Sequence, residues 1–301
     1  MSPTSSMPTT PYSLETGRDV RLYARSNPCP NTSGLAPGYL QANLIILPSK
    51  YASDFRLLCA RNPVPCPLLA ESSAPGRWDS VRSHLPGLGG RDVVADVDLR
   101  RDAPRYNVYR DGRLVGAGRP DVVADWADDD HVAFLIGCSF SFEAALAAAG
   151  LPAAHASPPA PRNVPMYRTA VPLCPAGVFA GGATAVVSMR PYPAADVPRV
   201  RAVTRAFAAA HGEPVAWGWD AVRALGIADV DRPEWGDAPL APDGAPLGRL
   251  EGSDDLVPVF WGCGVTPQEA VMRAGLEGVV MAHSPGHMLL LDCKDSQIMA
   301  G

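Results

Sequence analysis

The stretch FLIGCSFSFEAAL, residues 134–146, decides how the chain is read. Phe134 to Gly137 is apolar and closes on a glycine, as a buried strand does. Cys138, Ser139, Ser141 and Glu143 follow within six positions, and an alanine-rich run with helical composition begins at once. A thiol, two hydroxyls and a carboxylate therefore crowd the point where strand gives way to helix.

The arrangement returns 125 residues later. VAFLIGCSFSFEAALAAAGL (132–151) lies over VPVFWGCGVTPQEAVMRAGL (257–276) without a gap, and seven of 20 positions are identical. Cys138 falls on Cys263, Ser141 on Thr266 and Glu143 on Gln268. In the second copy Thr266 reads as an N-cap, Pro267 as the first helical residue and Glu269 as the partner of a capping box. Ser141 caps the first helix by the same reading. Gly137 and Gly262 allow the backbone to turn sharply. Two strand–loop–helix units, whether duplicated or only alike in local geometry, imply an α/β protein with a mixed sheet and a two-part architecture. Two helix starts at strand ends also suit an anion, because free N–H groups and the helix dipole favour negative charge, and ligands bind at strand ends in α/β sheets. The plainer alternative is that Ser141 and Thr266 only cap helices, while Cys138 and Cys263 fill small core spaces.

Outward from these units, GYLQANLIILP (38–48) reads as a short strand or helix with an apolar face. KYASDFRLLCARNP (50–63) has helical spacing, with Tyr51, Phe55, Leu58 and Cys59 on one side, and stops at Asn62-Pro63. Three prolines force NPVPCPLL to be extended, and residues 71–92 read as loop. RYNVYRDGRLVG (105–116) is a hairpin about Asp111-Gly112. ATAVVSMRP (183–191) is a buried strand. DVPRVRAVTRAFAAAHG (196–212) is an amphipathic helix closed by Gly212. Residues 228–254 are acidic loop.

The totals narrow the function. The 301 residues, 47% hydrophobic, suffice for a globular core. A net charge of −5 argues against a nucleic-acid partner. No apolar run reaches the ~18 residues of a membrane span, and the N-terminus lacks the basic and apolar regions of a signal peptide. Residues 1–18 read as a flexible tail and 19–301 as the folded unit, with room for two subdomains. Seven cysteines, an odd number without a C-x-x-C pair, argue against a disulfide framework and a zinc ribbon. A reduced, cytoplasmic protein is expected.

Seven motifs, GYLQANL, NPVPCPLL, FLIGCSFSFE, RNVPMYRT, VVSMRP, PVFWGCGVTPQ and HSPGHM, occur here in an order that resembles the putative hydro-lyase family containing the D-glutamate cyclase domain. The resemblance runs from about residue 20 to about 293. It implies an α/β fold in two parts and a lyase, with D-glutamate closing on itself to 5-oxo-D-proline as water leaves. The chain departs from the family pattern at three places. Ala170 stands where Asn follows MYRT, Ala216 where a second His follows the first, and Ala282 where Thr precedes the His of HSPGH. Three polar groups replaced by methyl groups suggest a roomier, less polar pocket and an altered substrate.

Lactam closure needs a base to neutralise the amine, an acid or strong donors for the departing oxygen, and a clamp for the α-carboxylate. It demands no redox or phosphate cofactor; no P-loop or G-x-G-x-x-G is present, and neither cofactor nor metal is expected. His211 and His283 are the candidate catalytic bases, with His287 near the latter. A loop metal site of His283 and His287 with Asp292 or Cys263 is the weaker alternative. Cys138 and Cys263 are candidate nucleophiles if a helix N-terminus lowers their pKa, although direct closure is chemically easier because a free carboxylate is a poor acyl donor. Arg168 and Arg190 are candidate carboxylate clamps. Gln41, Asn43, Ser139, Ser141, Thr266 and Gln268 are candidate substrate contacts. The partner expected is a small amino-acid-like molecule; homo-oligomerisation stays open. A specialised dehydratase and a non-catalytic binder of amino-acid carboxylates are the competing readings.

Overall fold

A computed structural model of the chain describes residues 14–26, 31–156 and 162–299. GYLQANLIILP forms one strand, β1 (Tyr39–Pro48), with every residue from Leu40 onward buried. Such a run suits a strand covered on both faces better than one with a wet face. In chain order the other elements are α1 (Gly17–Ala24), α2 (Ala52–Arg61), β2 (Leu68–Ser72), β3 (Val81–Ser83), α3 (Gly90–Val93), β4 (Tyr106–Arg110) and β5 (Arg113–Arg119). Then come β6 (His131–Gly137), α4 (Glu143–Ala148), β7 (Met166–Pro172), β8 (Thr184–Tyr192), α5 (Val197–Arg205) and β9 (Ala216–Trp217). The last are α6 (Trp219–Ala224), β10 (Val257–Gly262), α7 (Val265–Ala274), β11 (Val279–His283) and β12 (Leu289–Lys294).

The strands make two sheets. The larger runs β3-β2-β6-β1-β11-β4-β5, with β12 also on β1; the smaller runs β7-β8-β10-β9. The α/β class holds, and the pairings within both sheets are antiparallel. Alternate residues of β1 and β6 feed two cores, as the two-residue period requires. Leu44, Ile46, Ala133 and Leu135 pack on one face, and Ile45, Leu47, Phe134 and Ile136 meet α2 and α7 on the other. The smaller sheet likewise buries Val259 and Trp261 on one face and Phe260 on the other.

β1 pairs with β6 along one edge and with two strands along the other: β12 from Tyr39 to Ala42, β11 at Ile45 and Ile46. β11 and β12 thus run in the same direction, one after the other along that edge, with a break between them. The His283 ring stands at the break, where the Leu44 N–H donates to Nδ1 at 3.1 Å. A buried amide that lacks a strand partner must find another acceptor, and the imidazole supplies it.

Several sequence expectations need correction. The helix expected over 196–212 stops at Arg205, and a 3-10 turn over Ala208–Ala210 precedes His211, so Gly212 does not close α5. Residues 71–92 are not all loop, because β2, β3 and α3 reach into them. Residues 1–13 of the expected tail lie outside the described residues, but Thr16 and Asp19 form a capping box that starts α1 at Gly17. The hairpin about Asp111-Gly112 is present, with both residues at positive φ. Among the described residues no helix is long and apolar enough to cross a membrane.

Candidate active site

Cys138 directly follows β6 and Cys263 directly follows β10, so each thiol stands at the C-terminal end of a strand, one in each sheet. Both line one small cavity with Asn43, Ser139, Met166 and His283. The matching turns therefore converge, though not as neighbours in one sheet. The first passes through a 3-10 turn, Ser139–Phe142, before the short α4; the second enters the longer α7 at once.

Neither hydroxyl caps its helix. Thr266 lies inside α7, where its Oγ1 accepts from Val186 N at 2.8 Å and donates to Val186 O at 3.1 Å. Ser141 Oγ accepts from Gln41 N at 3.1 Å. At equivalent positions of the two units, each hydroxyl ties its turn to a strand, β8 in one case and β1 in the other. Glu269, read as the capping-box partner, instead pairs with Arg168 at 3.0 Å and Arg273 at 2.8 Å.

Asn43 joins the two turns. Its Nδ2 donates to Gly137 O at 3.0 Å, and a Cβ added at Gly264 would lie 1.9 Å from the same nitrogen. Only glycine leaves room for that approach. His211 stands on the other side of the turns. It is buried, and a Cβ at Gly262 would come within 3.3 Å of its Nδ1. Its Nδ1–H donates to Val64 O at 2.8 Å, while Nε2 has no partner. The residue holds φ at 81°, a region that costs a non-glycine residue energy.

The electrostatics follow from burial. The thiols are pushed up, Cys138 to about 12 and Cys263 to about 11, so both are protonated at neutral pH. This reverses the expectation that a helix start would activate them: desolvation outweighs the first-turn amides of Phe140 and Val265. Burial pushes His211 and His283 down to about 4, so both rings are neutral. Gln268 Nε2 lies 2.9 Å from His283 Nδ1. Leu44 N at 3.1 Å and Leu44 O at 3.2 Å also surround that nitrogen.

Arg190 is not placed as a substrate clamp. Fully buried, it gives Nε and Nη2 to Glu143, Nη2 also to Ser139 Oγ at 3.1 Å, and lies over the Phe142 and Trp261 rings. Its charge is neutralised within the fold. Burial would raise the Glu143 carboxyl, but Arg190 and then His155 outweigh it and hold it below the ordinary value. Arg168 lies apart, half-buried, in a separate surface groove with Tyr167, Arg232 and Glu234. Gln41 does not line the cavity either; its Nε2 donates to Thr32 O at 2.9 Å. Of the sequence candidates, Asn43, Cys138, Ser139, Cys263 and His283 line the cavity, and Gln268 reaches it through His283.

The three alanines are scattered. Ala170 sits on exposed β7, Ala216 on β9 opposite Phe260, and Ala282 within β11, where adjacent side chains take opposite faces. None lines the cavity between the thiols, so they do not make one remodelled pocket. Asp292, a metal candidate, is bound to Arg21 instead. Among the described residues no three His, Cys, Asp or Glu side chains gather as a metal site.

The cavity between the thiols holds about 20 Å³, room for one water. A second cavity of about 470 Å³ lies beside it, and Asn163 lines both. His155, Arg162 and Asp237 face the larger one. The sequence reading missed all three. They sit in loops without periodicity, and the only available signal was a histidine and an arginine flanking a proline-rich run.

Comparison with known proteins gives a consistent result. The D-glutamate cyclase family model matches residues 132–292, which begin with the first unit and contain the second. A Bordetella petrii protein is 48% identical over 93% of this chain and 94% of its own. Proteins of Corynebacterium urealyticum (47% over 88% and 89%) and Schizosaccharomyces pombe (43% over 87% and 79%) are similar over most of the chain too. All three bear the name "Putative hydro-lyase". Among solved structures, a nitrogen repressor-like protein of Methanococcus jannaschii aligns over 91% of this chain and 98% of its own, with 9% identity and a TM-score of 0.34.

Proposed function

Because the chain belongs to the D-glutamate cyclase family, we propose that it is a carbon–oxygen hydro-lyase that removes water from a small amino acid, with D-glutamate closing to 5-oxo-D-proline as its first candidate reaction. The observation that carries this reading is the convergence of the Cys138 and Cys263 turns, one from each sheet, on a single cavity that also receives His283.

Direct closure fits the side chains better than a thioester route, since both thiols are held protonated. Neutral His283 and the turns line a space with room for the one water that leaves. The altered substrate suggested by Ala170, Ala216 and Ala282 loses its ground once the three are dispersed, which puts D-glutamate back at the head of the panel. The six described cysteines are free, as suits a reducing cytoplasm.

The test is incubation of the purified protein with D- and L-amino acids and their hydroxylated derivatives, followed by mass spectrometry. Loss of one water from a single stereoisomer supports the lyase. Water loss only from a hydroxylated derivative assigns a specialised dehydratase instead. A raised melting temperature without product points to a binder of amino-acid carboxylates.

A further inference from the structure

The larger cavity contains a histidine with one nitrogen unmet. The His155 side chain is only 7% exposed; its Nε2 lies 3.0 Å from Glu143 Oε1, while its Nδ1 has no hydrogen-bond partner. The ring stacks on Phe140, with centroids 6.0 Å apart, and Phe140 lines the cavity of the two thiols. A buried imidazole with an unmet nitrogen is costly in a purely structural role, because an unmet polar atom carries its desolvation penalty.

The surroundings supply what a proton-transferring histidine needs. Glu143 is kept ionised by Arg190 and can stabilise an imidazolium, the part a carboxylate plays beside a catalytic histidine. The ring faces about 470 Å³, within the range of small-molecule sites. The same walls carry Arg162, suited to a carboxylate, and Asp237, suited to an ammonium group. Apolar Met189 and Leu256 complete the lining around them.

We propose that the larger cavity is the chamber for the amino-acid substrate and that His155 is the catalytic base and acid within it, positioned by Glu143. This rests on the lyase reading and locates its chemistry. His155 takes a proton from the α-ammonium of D-glutamate. The amine nitrogen then bonds to the side-chain carboxyl carbon, and a C–O bond of that carboxyl breaks. Two protons pass in all from nitrogen to the departing oxygen, His155 carrying them in turn, so lactam and water form with no outside reagent.

The experiment compares the wild type with His155→Ala and His155→Gln, all checked for native circular dichroism and melting temperature. If the base is His155, kcat falls by about 100-fold or more with KM changed little. The acid limb of the kcat profile goes with it, and added imidazole restores part of the rate to His155→Ala. Turnover within threefold of wild type in either folded variant overturns the assignment. A second arm follows the His155 ring resonances of the wild-type protein, assigned with His155→Gln, as D-glutamate is added. Movement supports the chamber. Unmoved resonances overturn it, even if the protein turns the substrate over. Absence of wild-type turnover refutes the lyase reading and the base assignment with it, while the resonance arm still decides whether an amino acid binds there.

Discussion

Arg190 grips Glu143 with two nitrogens, Nε at 3.0 Å and Nη2 closer still, and both side chains lie inside the protein. The carboxylate of the opening stretch is thus answered from the smaller sheet, 47 residues along the chain. The pair ties β8 to the start of α4 and carries the polar network from Ser139 to His155.

Removing one partner should cost far more than removing both. Arg190→Met leaves a buried carboxylate uncompensated and is expected to destabilise the fold by about 3–5 kcal/mol in urea unfolding. The double change Arg190→Met, Glu143→Gln should cost clearly less than the sum of the single ones. Additive losses would show that the two side chains act independently.

The buried histidines set a pH window. His211 and His283 have folded pKa values near 4, below the ordinary 6.5 they regain on unfolding. Between those values the unfolded chain binds protons that the folded one does not, so stability falls as pH drops from 6.5 toward 4. Above 6.5 these two groups contribute no pH dependence, and below 4 their effect levels off. The melting temperature should therefore decline between pH 6.5 and 4.5 and change least above 7. His283→Gln should shallow that slope, and an unchanged slope would assign the dependence to other groups.

The thiols should be inert. At pH 8 in the native state, iodoacetamide should label exposed Cys174 and spare Cys138 and Cys263. Denaturation should expose both to the reagent. Cys138→Ala should keep turnover within a few-fold, and a near-complete loss in a folded variant would return the covalent route to consideration.

Gly264 should not tolerate a methyl group. Alanine there would put a carbon 1.9 Å from Asn43 Nδ2, so Gly264→Ala is expected to cost about 1–3 kcal/mol through displacement of one turn or the other. Combined with Asn43→Ala, the loss should be smaller than the sum, because the clashing atom is gone. A neutral Gly264→Ala would mean that the turns are not held together at this point.

Much of the fold was legible where patterns are local. The α2 face, the Asp111-Gly112 hairpin and the buried strand that carries Arg190 all follow from spacing, and the paired thiols at strand ends follow from the repeat. What escaped was tertiary. Thr266 has the residue type and the following proline of a cap, but Val186 offers both a donor and an acceptor to its hydroxyl, and that outweighed the cap. Arg190 looked like a clamp because its own segment holds no carboxylate; the one that pairs with it starts α4, 47 residues earlier in the chain. His155 gave only the weak signal of a histidine before a proline-rich run, because its three-residue 3-10 turn has no period, and the cavity that gives it meaning is closed by residues far apart in sequence.

The interrupted pairing along one edge of β1 has a consequence for synthesis. Tyr39–Pro48 emerges early, but one of its edges is completed only by strands that end at Lys294. Pairing across such a separation is slow, since the loop-closure entropy must be met before any contact is made. The central strand therefore waits, half-paired, until almost the whole chain has left the ribosome, and a product truncated before Leu289 would present the bare edge from Tyr39 to Ala42 as a template for aggregation.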